Sequence, residues 1–323
     1  MTRQIGLCAA VFGDLDLDSM LDSVAALPVD FLDLPTDTTL AFNAGIDDLS
    51  SGAHGDRVAQ ALQARRLTVR CVSNSRDTQL LLGPYGSHTD PVCLGSREEK
   101  LAHADRCARA TISLAARTGA EQVRLYFGSP DYALWLDWRG SSQHRSNSVR
   151  ALADAAVRYL KLCRDAGLTL SIEPHVRQAV YDPITARQLV DELVNYADVF
   201  RLCIDPANFA AIGWDPARSV RGWGPALGAV HVKDLQRWEE TPERRVPDGW
   251  SHYGPHPPIR FRSMGWGVLP WKDIISALLD EGFSGPVYIE HEDLLIPREE
   301  GVGSTAAALR ALLPATAPEG RTW

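Results

Sequence analysis

The sequence predicts a single-domain α/β chain closed as a (β/α)₈ TIM barrel, and three observations carry that expectation. Short apolar runs alternate with segments of helical periodicity from one end to the other, a pattern that implies a parallel sheet with right-handed crossovers. Eight such units close on themselves, and no linker-like stretch interrupts them. Four of the runs end on a residue able to bind a divalent metal: Leu170-Ser171-Ile172-Glu173, Leu202-Cys203-Ile204-Asp205, Ala229-Val230-His231 and Val287-Tyr288-Ile289-Glu290. A strand buried on both faces reads as a continuous apolar run, so the polar residue that breaks it marks the strand's end. In a barrel those ends converge on the face that carries chemistry. An open doubly wound sheet is the alternative, disfavoured because Gly13 stands alone after the first strand where a Gly-rich phosphate loop would be needed.

Taken in order, residues 5–12 read as a strand and 17–27 as a helix with Met20, Leu21, Val24 and Leu27 on one side. Residues 30–34 give a second strand, 58–67 a second helix and 68–72 a third strand. Ser96-Arg97-Glu98-Glu99 is a capping box opening a long Ala-rich helix that stops at Gly119. Residues 122–127 form strand four; the next helix carries Val149, Leu152, Ala156, Tyr159 and Cys163 down one face and stops at Gly167. Strand five runs to Glu173. Asp182-Pro183 caps a fifth helix, strand six runs to Asp205, a short helix over 218–227 precedes strand seven, and residues 270–279, 286–290 and 305–313 supply helix, strand and helix.

Composition bounds the function. A formal charge of −8 on 323 residues argues against a nucleic-acid surface, which normally needs a basic stripe. There is no run of eighteen apolar residues and no basic leader followed by an apolar core, so the expectation is a cytoplasmic protein with no membrane segment. Six scattered cysteines without a CxxC, three of them (Cys8, Cys71, Cys203) in apolar strand-like runs, read as buried thiols.

Glu173, Asp205, His231 and Glu290 form an oxygen and nitrogen donor set without thiolate, suited to one divalent ion: Mn first, with Mg, Co or Zn as alternatives. Taken singly, Asp205-Pro206 reads equally well as a turn or helix cap. Two connections exceed what a barrel needs, residues 128–146 with Tyr132, Trp135 and Trp138, and residues 236–267 with Trp238, Trp250, Tyr253, Trp266 and five prolines. Both follow strands. They are expected to form a lid over a sugar, with Trp135 and Trp266 as stacking surfaces, or a subunit contact; a self-packed loop is the plainer reading.

These motifs resemble the xylose-isomerase-like TIM-barrel superfamily of sugar phosphate isomerases and epimerases. The resemblance rests on Ser171-Ile172-Glu173-Pro174-His175, Ile204-Asp205-Pro206-Ala207-Asn208, His231-Val232-Lys233-Asp234 and Ile289-Glu290-His291-Glu292-Asp293. It implies the same four metal ligands. Where ketose 3-epimerases carry a second glutamate and a histidine, this chain has Ala179 and Asn208, while Arg237 matches a substrate-binding arginine. The pattern is closer to the inosose dehydratase-like branch.

The implied chemistry is proton abstraction beside a metal-bound carbonyl, with Glu173 or Glu290 as base and His175 and Lys233 as acid, oxyanion contact or hydrogen bonder. Asn208 and Arg237 would touch the substrate, and His291, Glu292 and Asp293 are expected in a solvated loop. The expected ligand is a small sugar or keto-polyol. Reprotonation would give isomerisation or epimerisation; loss of a β-substituent would give dehydratase or lyase chemistry, including that of C-glycoside deglycosidases, whose barrel subunit works with a smaller partner chain. A homo-oligomer is expected. The rivals are a non-catalytic sugar-binding barrel and an apurinic endonuclease, the latter lacking its three-metal ligand set and basic groove here.

Overall fold

The computed structural model describes residues 4–43, 52–130, 142–237 and 259–314. Eight parallel strands close a barrel: β1 (Gly6–Cys8), β2 (Phe31–Pro35), β3 (Val69–Asn74), β4 (Gln122–Leu125), β5 (Thr169–Ile172), β6 (Phe200–Ile204), β7 (Leu227–Val232) and β10 (Val287–Ile289), with β1 paired to both β2 and β10. Strands β8 (Asp234–Arg237) and β9 (Ile259–Arg262) form a separate antiparallel pair, Asp234 opposite Arg262 and Arg237 opposite Ile259. Around the barrel lie α1 (Leu17–Ala25), α2 (Gly52–Ala64), α3 (Arg97–Thr118), α4 (Ser142–Asp165), α5 (Pro183–Glu192), the short α6 (Pro206–Ala211) and α7 (Pro216–Ser219), α8 (Trp271–Asp280) and α9 (Arg298–Leu312). Among the described residues no helix is long and apolar enough to cross a membrane.

The local signals act as written. Ser96 and Glu99 cap α3 reciprocally, and Gly119 ends it in the left-handed region at φ 73°, which glycine adopts without a Cβ penalty. Asp182 caps α5 with Pro183 at its first position. Some boundaries move. Only Gly6–Cys8 of the first apolar run pairs, and Ala9–Phe12 coils into a 3₁₀ turn. The helix expected over 218–227 is instead α7 and a 3₁₀ turn at Gly224–Ala226, because Gly222 and Gly224 take positive φ between them. Helix α9 starts at Arg298, a turn and more before the expected residue 305. The segment 236–267 is not all loop, since Gln236 and Arg237 close β8 and Ile259–Arg262 forms β9.

The barrel floor decides where a site can form. Phe31, Cys71, Cys203, Ala229 and Tyr288 make an apolar cluster inside it, and Phe31 meets Tyr288 edge-on at 5.2 Å. A Cβ on Gly6 would stand 2.2 Å from the Phe31 ring, so only glycine leaves room for both rings. Five cysteines are buried and Cys93 is partly so; all six are free. Polar groups lie on the mouth side of this floor. Asp234 ties down the chain beyond β7 by accepting from the amides of Leu235, Gly265 and Leu269.

Candidate metal centre

Glu173, Asp205 and Glu290 each sit one residue past the end of a strand (β5, β6 and β10), and His231 is the penultimate residue of β7. The structure brings the four together: one ligand atom from each lies within 4.8 Å of all the others. Imidazole Nδ1 of His231 is 3.4 Å from Glu173 Oε2 and 3.5 Å from Glu290 Oε2. Donors bound to one small divalent ion at about 2.1 Å stand roughly 3–3.4 Å apart, so the spacing suits a common ion better than direct hydrogen bonds. Two buried atoms of the quartet, His231 Nδ1 and Asp205 Oδ2, have no hydrogen-bond partner. Buried polar atoms are seldom left so. Asp205 is also a helix cap, its Oδ1 accepting from Ala207 N at 2.7 Å; capping uses one oxygen and leaves the other for the centre. The donor set therefore fits a divalent cation.

The surrounding charges are ordered. Lys233, almost wholly buried, places Nζ 2.8 Å from Glu290 Oε2, 3.1 Å from Asp205 Oδ2 and 3.3 Å from Glu292 Oε1. The Asp205 contact is close enough for an ion pair but is not aligned as a hydrogen bond. On the other side Arg124 donates to Glu173 Oε2 at 3.0 Å and to Asp33 Oδ2 at 2.7 Å. Burial pushes the Glu173 carboxyl up, but His231 and Arg124 overcome it and hold it at about 2. Burial dominates at Asp205, raising it to about 7 against the pull of Lys233. His231 rises well above its ordinary value, since the acidic groups around it, Cys203 and Glu173 first, outweigh burial. Of the three, only His231 answers chiefly to the acidic groups around it; Glu173 answers to the cations and Asp205 to burial.

The remaining expected residues divide. His175 lines the cleft at the mouth, its ring 5.5 Å from that of Tyr126. Its Nδ1 accepts from Arg177 N at 3.1 Å, which assigns the ring proton to Nε2. Burial, with Lys233 and Arg177, lowers its pKa to about 3, so it is a neutral donor. Asn208, expected at the substrate, is buried and donates instead to Glu173 Oε1 at 3.0 Å. Both Glu173 oxygens are thereby engaged. Arg237 turns away to the carbonyl of Ala210 at 2.5 Å and does not line the cleft. Trp266 lies exposed under the guanidinium of Arg262 and is likewise absent from the cleft wall. Trp135 falls outside the described residues, as do Tyr132, Trp138, Trp238, Trp250 and Tyr253.

The triplet after Glu290 is not a solvated loop. Asp293 is buried and accepts from Arg262 Nε and Ser263 N, both at 2.9 Å. His291 lies 3.4 Å from Ser263 Oγ, and Glu292 reaches Lys233. Sequence reasoning missed Cys8, Asp33, Asp37 and Arg124. For two of them a signal existed: Asp33 interrupts Phe31-Leu32-Asp33-Leu34 and Arg124 interrupts Val123-Arg124-Leu125, and a charge inside a buried strand needs a partner. Gln178 braces the site from behind, accepting from Phe127 N at 2.8 Å and donating to the Glu173 carbonyl.

The cleft holds about 170 Å³ and is lined by Asp37, Arg124, Tyr126, His175, Glu290 and Glu292 among others. Typical sites for drug-sized ligands run to roughly 300–1,000 Å³. This one is small and mostly polar-walled.

The chain is similar to the uncharacterized protein YfiH of Bacillus subtilis (strain 168), 26% identical over 324 residues and covering 92% of this chain and 95% of that one. Among solved structures it resembles the 3-keto-D-glucoside 4-epimerase YcjR from E. coli, with TM-score 0.66, 14% identity, and 95% and 99% of the two chains covered. It also resembles the D-allulose 3-epimerase from Methylomonas sp., with TM-score 0.65, 18% identity, and 96% and 98% covered. At these identities the structures speak to the fold. Residues 21–312 match the family described as xylose isomerase-like TIM barrel, and the chain belongs to that family.

Proposed function

We propose that this protein is a divalent-metal-dependent isomerase or epimerase of a sugar or keto-polyol, with Glu290 as the base that removes the proton beside the carbonyl. The observation that carries the reading is the quartet at the barrel mouth, four ligand atoms within 4.8 Å of one another, with Glu290 alone of the four lining the cleft. A divalent cation held by Glu173, Asp205, His231 and Glu290 would polarise a substrate carbonyl and lower the barrier to loss of the adjacent proton.

The chain's own residues supply the rest. Glu290 has Oε2 fixed by Lys233, leaving Oε1 to face the substrate and take the proton. Glu173, held by Asn208 and Arg124, acts as ligand rather than base. Nε2–H of neutral His175 donates to a substrate oxygen, and Asp37, lining the same cleft, accepts from a hydroxyl. Giving that proton back from Glu290 to the neighbouring carbon on the same face, as a proton moves between the two enediolate oxygens, gives isomerisation; epimerisation needs a second donor to protonate the opposite face while Glu290 keeps the proton it took.

Elimination is the second reading, and Glu292 favours it. Its carboxyl shares the cleft with Glu290, and burial pushes its pKa upward against the pull of Lys233, so it suits protonation of a leaving oxygen.

The neighbouring 3-keto-glucoside epimerase and the departures at Ala179 and Asn208 suggest a ring-shaped keto-sugar as the first substrate to try. Incubating methyl 3-keto-glucoside with the Mn-loaded protein in D₂O should put deuterium on the carbon next to the carbonyl. Exchange should be lost in Glu290→Gln with Mn still bound, and a mass loss of water or aglycone would select elimination. Exchange that persists in Glu290→Gln, or in chelated protein, contradicts the proposal.

A further inference from the structure

A second cavity of about 470 Å³ adjoins the metal-side cleft, and the two share Arg76, Gln79 and Arg177. We infer that the two guanidiniums at this junction bind an anionic group, a carboxylate or phosphoryl carried by the substrate, whose sugar ring lies in the inner cleft. The inference rests on the reading of that cleft as the substrate site.

The two cavities differ in chemistry. The inner wall carries Asp37, Glu290 and Glu292, whereas the outer wall has no carboxylate among its described residues and adds His88 to the two arginines. Both arginines are anchored at their roots to the inner cleft. Arg177 N donates to His175 Nδ1 at 3.1 Å, and Arg76 N donates to Asp37 Oδ1 at 2.5 Å. The Arg76 side chain makes one described hydrogen bond, Nη1 to Thr39 Oγ1 at 2.9 Å, which leaves donors to spare. The other arginines near the barrel mouth are committed: Arg124 to Asp33 and Glu173, Arg262 to Asp293. No described carboxylate lies within ion-pair distance of Arg76 or Arg177. Arg76 and Arg177 both line this junction, and guanidinium is the side chain whose fork matches a carboxylate or phosphate. The apolar remainder of the outer wall, Leu80, Pro84 and Val92, suits a non-polar substituent beyond the anion.

The test is calorimetric binding of glucose, glucuronate and glucose 6-phosphate to the full chain loaded with Mn. One or both anions should bind at least about ten-fold more tightly than glucose, as charge-assisted hydrogen bonds would give. The advantage should shrink as salt rises and vanish in Arg76→Gln/Arg177→Gln. Preference for glucuronate identifies a carboxylate site and preference for glucose 6-phosphate a phosphoryl site. Glucose binding as tightly as both anions, neither anion binding, or an advantage that survives the double substitution overturns the inference. Mn stoichiometry, measured on the same samples, reports separately on the metal centre: normal Mn with no anion preference rejects this inference alone.

Discussion

The two sides of the barrel carry their charge in opposite ways. On the β5–β10 side, carboxylates and an imidazole stand at or near strand ends and aim at a common point, with Asp205 Oδ2 and His231 Nδ1 left unbonded. On the β1–β4 side, Asp33 and Arg124 lie within their strands and pair inside the barrel at 2.7 Å. The first arrangement is open and gains from a cation. The second closes on itself, apart from Asp33 Oδ1 and Arg124 Nε, which also lack partners. Arg124 joins the two by holding Glu173 at 3.0 Å, so the closed side fixes one donor of the open side.

The largest expected effect comes from breaking that link. Arg124→Met leaves Asp33 and Glu173 as buried carboxylates without their shared cation, and removing one member of a buried ion pair costs about 3–5 kcal/mol. Denaturant unfolding of the metal-free protein should show that loss, with partial recovery in Asp33→Asn/Arg124→Met. A loss below about 1 kcal/mol, within the range of exposed pairs, would erase the distinction between the two sides.

A smaller effect sharpens it. Metal-free Asp205 is raised to about 7 and His231 well above its ordinary value, so both hold protons that a cation must displace. Protons released on binding mean that affinity rises with pH and falls as pH drops through 7 toward 6. Mn titrations in buffers of different ionisation heat should report net proton release. Affinity that is flat from pH 6 to 8 would show that the open side carries no such protons.

Legibility followed the same division. The convergence of Glu173, Asp205, His231 and Glu290 was readable because each ends an apolar run, and a strand end in a barrel has one destination. Arg124 and Asp33 interrupt strands instead, and sequence alone does not say which charges inside a barrel meet. The role of Asn208 depended on reach: three residues past Asp205 on α6, its amide turns back to Glu173 instead of the cleft. Arg237 sits where a family motif places an arginine, yet the β8/β9 pairing directs it to Ala210, and that pairing spans residues distant in sequence. The capping signals at Ser96 and Asp182 were local and held. The 218–227 segment failed because two glycines in the left-handed region split what periodicity joined.

If Glu173, Asp205, His231 and Glu290 hold one divalent ion, the metal content of purified protein will show it. After Mn loading and desalting, elemental analysis should find about one equivalent per chain, falling severely in Asp205→Ala and in His231→Ala while circular dichroism shows the barrel intact. No stoichiometric metal in the parent protein, or full retention in both variants, would contradict the account.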